Sequence, residues 1–129
     1  MGCKFVIENN TLIKCDCGDG TVVDRIEVPE GVTHLHCSSA FSKLKKVKTL
    51  ILPKSLRHIR LLGYYDRVEF EKVIFKDPKG WAMVGYTDWA GQRMEDKISQ
   101  SVMANPKEAC RYLRFKGSSN GSYDLLEKE

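Results

Sequence analysis

Two short groups in the chain carry chemistry beyond packing: Cys15-x-Cys17 and His34-x-His36-Cys37. On extended chain, side chains at i and i+2 share a face, so each group could offer two ligands to a zinc ion. A cysteine with a histidine in hydrogen-bond reach could instead act as a nucleophile, with Cys37 and His34, His36 or His58 as candidates. The neighbouring residues favour plainer roles. Zinc signatures mostly space their ligands two residues or more apart. His34 and His36 flank the apolar Leu35 and are expected to face solvent, and Cys37 suits a small core filler. No nucleophile-elbow context surrounds these cysteines, and the densest glycine runs, "CGDGT" and "GSSNGS", match neither a phosphate loop nor a dinucleotide fingerprint. The expectation is a non-enzymatic chain with no catalytic residue, metal, cofactor or small-molecule substrate.

A third group is electrostatic. The run "KLKKVKTLILPKSLRHIR" contains Lys43, Lys45, Lys46, Lys48, Lys54, Arg57, His58 and Arg60. Residues 1–42 hold 3 basic and 6 acidic side chains, residues 43–72 hold 9 and 3, and residues 73–129 hold 9 and 8. Nearly all of the net charge of +4 therefore sits in the middle. Such a run is either a solvated face interleaved with Leu44, Val47 and Leu50 or a patch for an acidic protein surface or nucleic-acid phosphate. Tyr64, Tyr65, Tyr86, Trp89 and Tyr123 exceed what a small core takes, and aromatics are enriched in binding hot spots. The expected partner-binding residues are Lys43, Lys45, Lys46, Lys48, Lys54, Arg57, Arg60, Tyr64, Tyr65 and Trp89.

The elements that must position these residues follow from an internal repetition. "DRIEVPEGVTHL" (24–35) overlays "KTLILPKSLRHI" (48–59): Ile26 falls on Leu50, Val28 on Leu52, Pro29 on Pro53, Val32 on Leu56 and Leu35 on Ile59. Each copy reads as a short strand ended by proline, then a turn and a second inward apolar pair. Val73 and Phe75 continue the ladder, with Lys76 in the proline's place. Units of this length cannot bury an apolar face alone and stack on copies of themselves. "NPKEACRYLR" predicts a terminal helix with Asn105 as N-cap and Pro106 at its first position. Trp81 is expected to cap the last strand, "WAMVGYTDWAGQRM" to be an irregular loop, and "GSSNGSYDLLEKE" to be a flexible tail.

On these residues the chain resembles the BspA-type (Treponema-type) leucine-rich repeat family. The matching positions are Val28-Pro29, Val32, Leu35, Ala40-Phe41, Val47, Leu50, Leu52-Pro53, Leu56 and Ile59. The resemblance implies an α/β solenoid: a single domain over 1–116, with an N-terminal β-hairpin cap (5–23, turning at Asn9-Asn10), repeats (24–76) and a C-terminal helical cap (77–116), then the tail 117–129. Members are mostly surface adhesins and interaction modules, so the resemblance also implies protein binding.

At 129 residues the chain suits one domain. It shows no export signal and no run long enough to span a membrane, and its five cysteines are odd in number. Reduced thiols and a cytoplasmic setting are expected. Together these features predict a small adaptor or inhibitor that occupies a partner's surface, with a phage or mobile-element origin and a host defence nuclease as one fitting setting. The alternative is nucleic-acid binding through residues 43–60.

Overall fold

The computed structural model describes residues 3–63, 65–117 and 121–129. In chain order, strands β1 (Lys4–Glu8), β2 (Thr11–Asp16), β3 (Val22–Glu27) and β4 (His34–His36) lead to a one-turn helix α1 (Cys37–Ala40). Strands β5 (Lys46–Leu52), β6 (His58–Arg60), β7 (Glu69–Phe75), β8 (Trp81–Thr87) and β9 (Arg93–Lys97) follow. Two further one-turn helices, α2 (Gln100–Met103) and α3 (Pro106–Ala109), precede a 3-10 turn at Cys110–Leu113, and strands β10 (Lys116–Gly117) and β11 (Gly121–Lys128) end the chain.

The strands form two sheets. One is parallel and three-stranded, β3-β5-β7; the other is eight-stranded and mixed, β1-β2-β4-β6-β11-β8-β9 with β10 beside β11. The residues that overlay in the sequence pair in these ladders. Ile26 lies beside Leu50 and Leu50 beside Val73, while Leu35 lies beside Ile59. The core fills the space between the sheets: Ile26, Leu50 and Val73 face Leu12, Leu35, Ile59 and Leu126, all essentially without solvent exposure.

Turn chemistry sets the register. Gly31 takes φ +99°, which an L side chain rarely adopts, and Val32 N–H closes the turn on Pro29 O. The second turn closes in the same way from Leu56 to Pro53, and its Ser55 hydroxyl accepts from Gly31 N–H and donates to Val32 O, locking one turn on the other. The N-terminal hairpin turns at Asn9 and Asn10, both at positive φ, the conformation of a two-residue turn that suits strand twist.

Four expectations are corrected. The α/β solenoid is overturned: the fold is mostly β, its helices are single turns, and its larger sheet mixes parallel with antiparallel pairing. The physical reason is length, since among the described residues the connections between the paired parallel strands β3, β5 and β7 hold one turn of helix at most. The stretch 81–94, read as an irregular loop within the cap 77–116, belongs to the antiparallel hairpin of β8 and β9. Its run Trp81–Val84 is buried on both faces, which explains why it lacks alternation. The segment expected to be a flexible tail supplies β11, which lies between β6 and β8 and pairs with both. Leu126 is its buried anchor, while Glu127 bonds Arg93 and Lys128 pairs with Asp77. The terminal helical cap is reduced to α3 and the 3-10 turn, although Asn105 caps it as its type suggests, accepting from Lys107 and Glu108 N–H.

Candidate functional site

The basic run does not stay together in space. Lys46 and Lys48 stand on the outer face of the three-stranded sheet, where neighbouring strands supply carboxylates: Lys46 Nζ is 2.8 Å from Glu71 and Lys48 Nζ 3.3 Å from Asp24. Lys76 on the same face reaches Glu27 at 3.0 Å. Hydrogen bonding to Lys46 holds the Glu71 carboxyl below its ordinary range, and the same bond raises Lys46. Arg60 belongs to β6 in the other sheet, and Arg57 lies in the turn before it, near the Glu129 backbone. Lys54 sits in the second turn, where its N–H donates to Glu30.

Lys43 and Lys45 lie elsewhere again, in the loop between α1 and β5. They border a cleft of about 350 Å³ together with Thr21, Ser38, Phe41, Ser42, Leu44, Leu62, Tyr65, Asp66, Arg67 and Val68. The floor is apolar and buried: Phe41, Leu44, Leu62 and Val68, with Phe41 held edge-on against Phe70. The rim is cationic. Among the described residues, no carboxylate pairs with Lys43, Lys45 or Arg67. Tyr65 stands beside them at 95 % exposure.

Hydrogen bonds tie Gly63, Asp66 and Val68 to the rest of the fold. Asp66 accepts from Ser38 Oγ and from Gly63 N–H, both at 2.6 Å, which ties the loop to α1. From the outer side Arg114 donates to the carbonyls of Gly63, Asp66 and Val68. Five hydrogen bonds thus hold Gly63, Asp66 and Val68, the residues that flank Tyr65 and Arg67 among those described. The arrangement can receive an apolar side chain on its floor and carboxylates on its rim.

Of the expected contacts, Lys43, Lys45 and Tyr65 come together here. Trp89 does not; it is 92 % exposed in the turn of the β8–β9 hairpin. Tyr64 lies outside the described residues. Arg67, which completes the rim, stands after the repeat and outside the lysine run, so the residue pattern alone does not single it out. The signal for it is a charged residue between an exposed aromatic and the buried Val68 that precedes β7.

The cysteine and histidine groups separate as well. Cys17 is joined to Cys3 in a disulfide, which corrects the expectation of five reduced thiols and removes Cys17 as a ligand. Two β-strands whose ends meet bring these residues together, a proximity across the hairpin that sequence spacing hides. Cys15 is buried, and burial pushes its thiol up to about 12; burial, and secondarily Asp66, raise Cys37 still further. His34 and His58 stack in neighbouring strands with ring centroids 5.1 Å apart, and His58 lies 3.5 Å from Glu127. Among the described residues, no three of these side chain types gather closely enough to hold a metal ion, and no helix is long and apolar enough to cross a membrane.

Comparison of the chain with protein-family models, with curated proteins and with solved structures finds no match.

Proposed function

We propose that the protein is a non-enzymatic binding module that holds an acidic protein segment in the cleft between α1 and the loop 63–68. The observation that carries this reading is the set of three cations without an ion-pair partner among the described residues, Lys43, Lys45 and Arg67, around an apolar floor and beside an exposed Tyr65. Interfaces draw their energy from a few aromatic and arginine anchors in desolvated pockets, and charge complementarity sets association rate and partner choice. Cys15 and Cys37 are buried and burial raises both thiols, which disfavours them as nucleophiles, since the thiolate is the reactive form. An adaptor or inhibitor acting by occupancy fits this picture.

Kinship with the BspA-type family belongs to the same proposal. Its support is the 24-residue offset at which residues pair in both sheets, as in His34 with His58. A cytoplasmic setting is proposed from the odd cysteine count, and the Cys3–Cys17 bond weighs against it, because such bonds persist in oxidising compartments.

The test is a titration of two labelled probes of equal charge, a peptide with an aromatic residue amid glutamates and a single-stranded oligonucleotide, from 50 to 500 mM salt. Peptide binding that survives moderate salt supports the proposal. Oligonucleotide binding with a steep salt slope would replace it with phosphate recognition.

A further inference from the structure

The eight-stranded sheet ends in β1, Lys4–Glu8, whose far side pairs with no other strand among the described residues. An open edge offers unpaired N–H and C=O groups to another chain. The bulge in the β1–β2 ladder falls between Val6 and Ile7, and the unmatched residue, Ile13, belongs to β2. Strand β1 therefore keeps its alternation. Phe5 and Ile7 point to the core side, and Lys4, Val6 and Glu8 to the other. Val6 and Ile7 are each 41 % exposed, so neither face of the edge is fully covered. The hairpin itself is fastened at both ends, by the Asn9-Asn10 turn and by the Cys3–Cys17 bond.

Its sequence, Lys-Phe-Val-Ile-Glu, is complementary to itself when reversed. An antiparallel pairing of two β1 strands centred on Val6 sets Lys4 opposite Glu8 of the second copy, Phe5 opposite Ile7, and Val6 opposite Val6. Every partner is suitable: two ion pairs, two aromatic–β-branched pairs and one β-branched pair, the kinds that stabilise adjacent strands. Within one chain Lys4 and Glu8 stand about 13 Å apart along the strand and cannot reach each other. Among the described residues neither has an ion-pair partner. We propose that β1 is a self-association edge, at which two copies of this chain join their eight-stranded sheets across a two-fold axis. A two-fold contact of this kind is closed, so it stops at a dimer.

Charge reversal with rescue tests it. Sedimentation equilibrium of the full chain, from about 1 to 300 μM, is expected to give a mass rising from 14.7 kDa toward twice that value. K4E sets two carboxylates opposite each other at each end, and E8K sets two ammonium groups; each single variant should weaken association at least tenfold. The double variant K4E/E8K restores the complement and should return association to within about threefold of the starting protein. Circular dichroism confirms that all four proteins are folded, and these exposed sites leave the fold intact. A protein that stays monomeric throughout the range, a dimer indifferent to the single reversals, or a double variant as weak as the singles would each overturn the proposal. The cleft between α1 and loop 63–68 plays no part in this contact.

Discussion

Lys46 Nζ and Glu71 Oε1 lie 2.8 Å apart across the β5–β7 ladder, so the most basic stretch of the chain is partly neutralised by the strand that follows it. Lys48 meets Asp24 of β3 in the same way on the other side. Among the described residues, the cations beside the cleft without an ion-pair partner are Lys43, Lys45 and Arg67. Reversing Lys43, Lys45 and Arg67 to Glu is therefore expected to weaken an acidic partner by a few kcal/mol, mainly through slower association at low salt. Reversing Lys46 and Lys48 should change binding several-fold less and leave the melting curve almost unmoved, since exposed pairs contribute little. Stopped-flow association rates for the two variants measure the difference; equal effects would return the whole run to the interface.

A Cβ on Gly85 would stand 1.7 Å from Ser122 O, where β8 and β11 run against each other. Gly85→Ala should cost about 3 kcal/mol or more, because backbone on both sides must move. Gly91 takes φ +61° but has open space around it, and Gly91→Ala should cost about 1 kcal/mol. Urea unfolding of both variants checks the order.

Removing residues 118–129 is expected to leave the protein aggregated or unfolded, since β6 and β8 would lose the strand between them. Leu126→Asp, which buries a carboxylate in the same strand, should cost about 4 kcal/mol. A truncated chain with an unchanged melting temperature would show that the segment is dispensable.

Much of the repeat was legible because it is local and apolar. Ile26, Leu50 and Val73 announce their pairing by equal spacing, and Asn105-Pro106 announces a helix start by residue type alone. The unread parts depend on distant partners. "SYDLLEK" has tail-like composition, and only the unfilled gap between β6 and β8 makes it a central strand. Lys46 reads as a free cation until β7 brings Glu71 beside it. Trp81–Val84 lacks alternation because both faces are covered, so period two was absent where a strand exists. For the candidate site, Lys43, Lys45 and Tyr65 were legible as types, whereas Arg67 and the Asp66–Ser38 tie that orders them were not.

A pH expectation follows from the histidines. Burial, then the neighbouring His34, hold the His58 imidazole below its ordinary value of 6.5, with Glu127 opposing; burial, then Arg60 and His34, do the same for His36. The unfolded chain thus binds more protons than the folded one once pH falls below about 6.5. The stability that neutral His58 and His36 confer is present above that pH and is lost below it, down to their depressed folded values. Melting temperature should fall between pH 7.5 and 5.5, a window above the carboxylate range, and His58→Asn should flatten the slope. An unchanged slope in that variant would assign the effect elsewhere.

Thiol titration separates the five cysteines. Cys110, partly exposed, should react with a disulfide reagent in the native protein, whereas the buried Cys15 and Cys37 should react only on unfolding. Cys3 and Cys17 should appear only after reduction. Five reactive thiols in unreduced, unfolded protein would rule out the bond.

The claim that the cleft binds acidic protein segments is tested most directly by selection from a random peptide display library on the intact protein. Enriched peptides are expected to carry Asp or Glu flanking an aromatic or aliphatic residue. Their binding should be lost in K43E/K45E/R67E and kept in K46E/K48E. No enrichment, or enriched peptides that bind the triple variant as well as the starting protein, would contradict it.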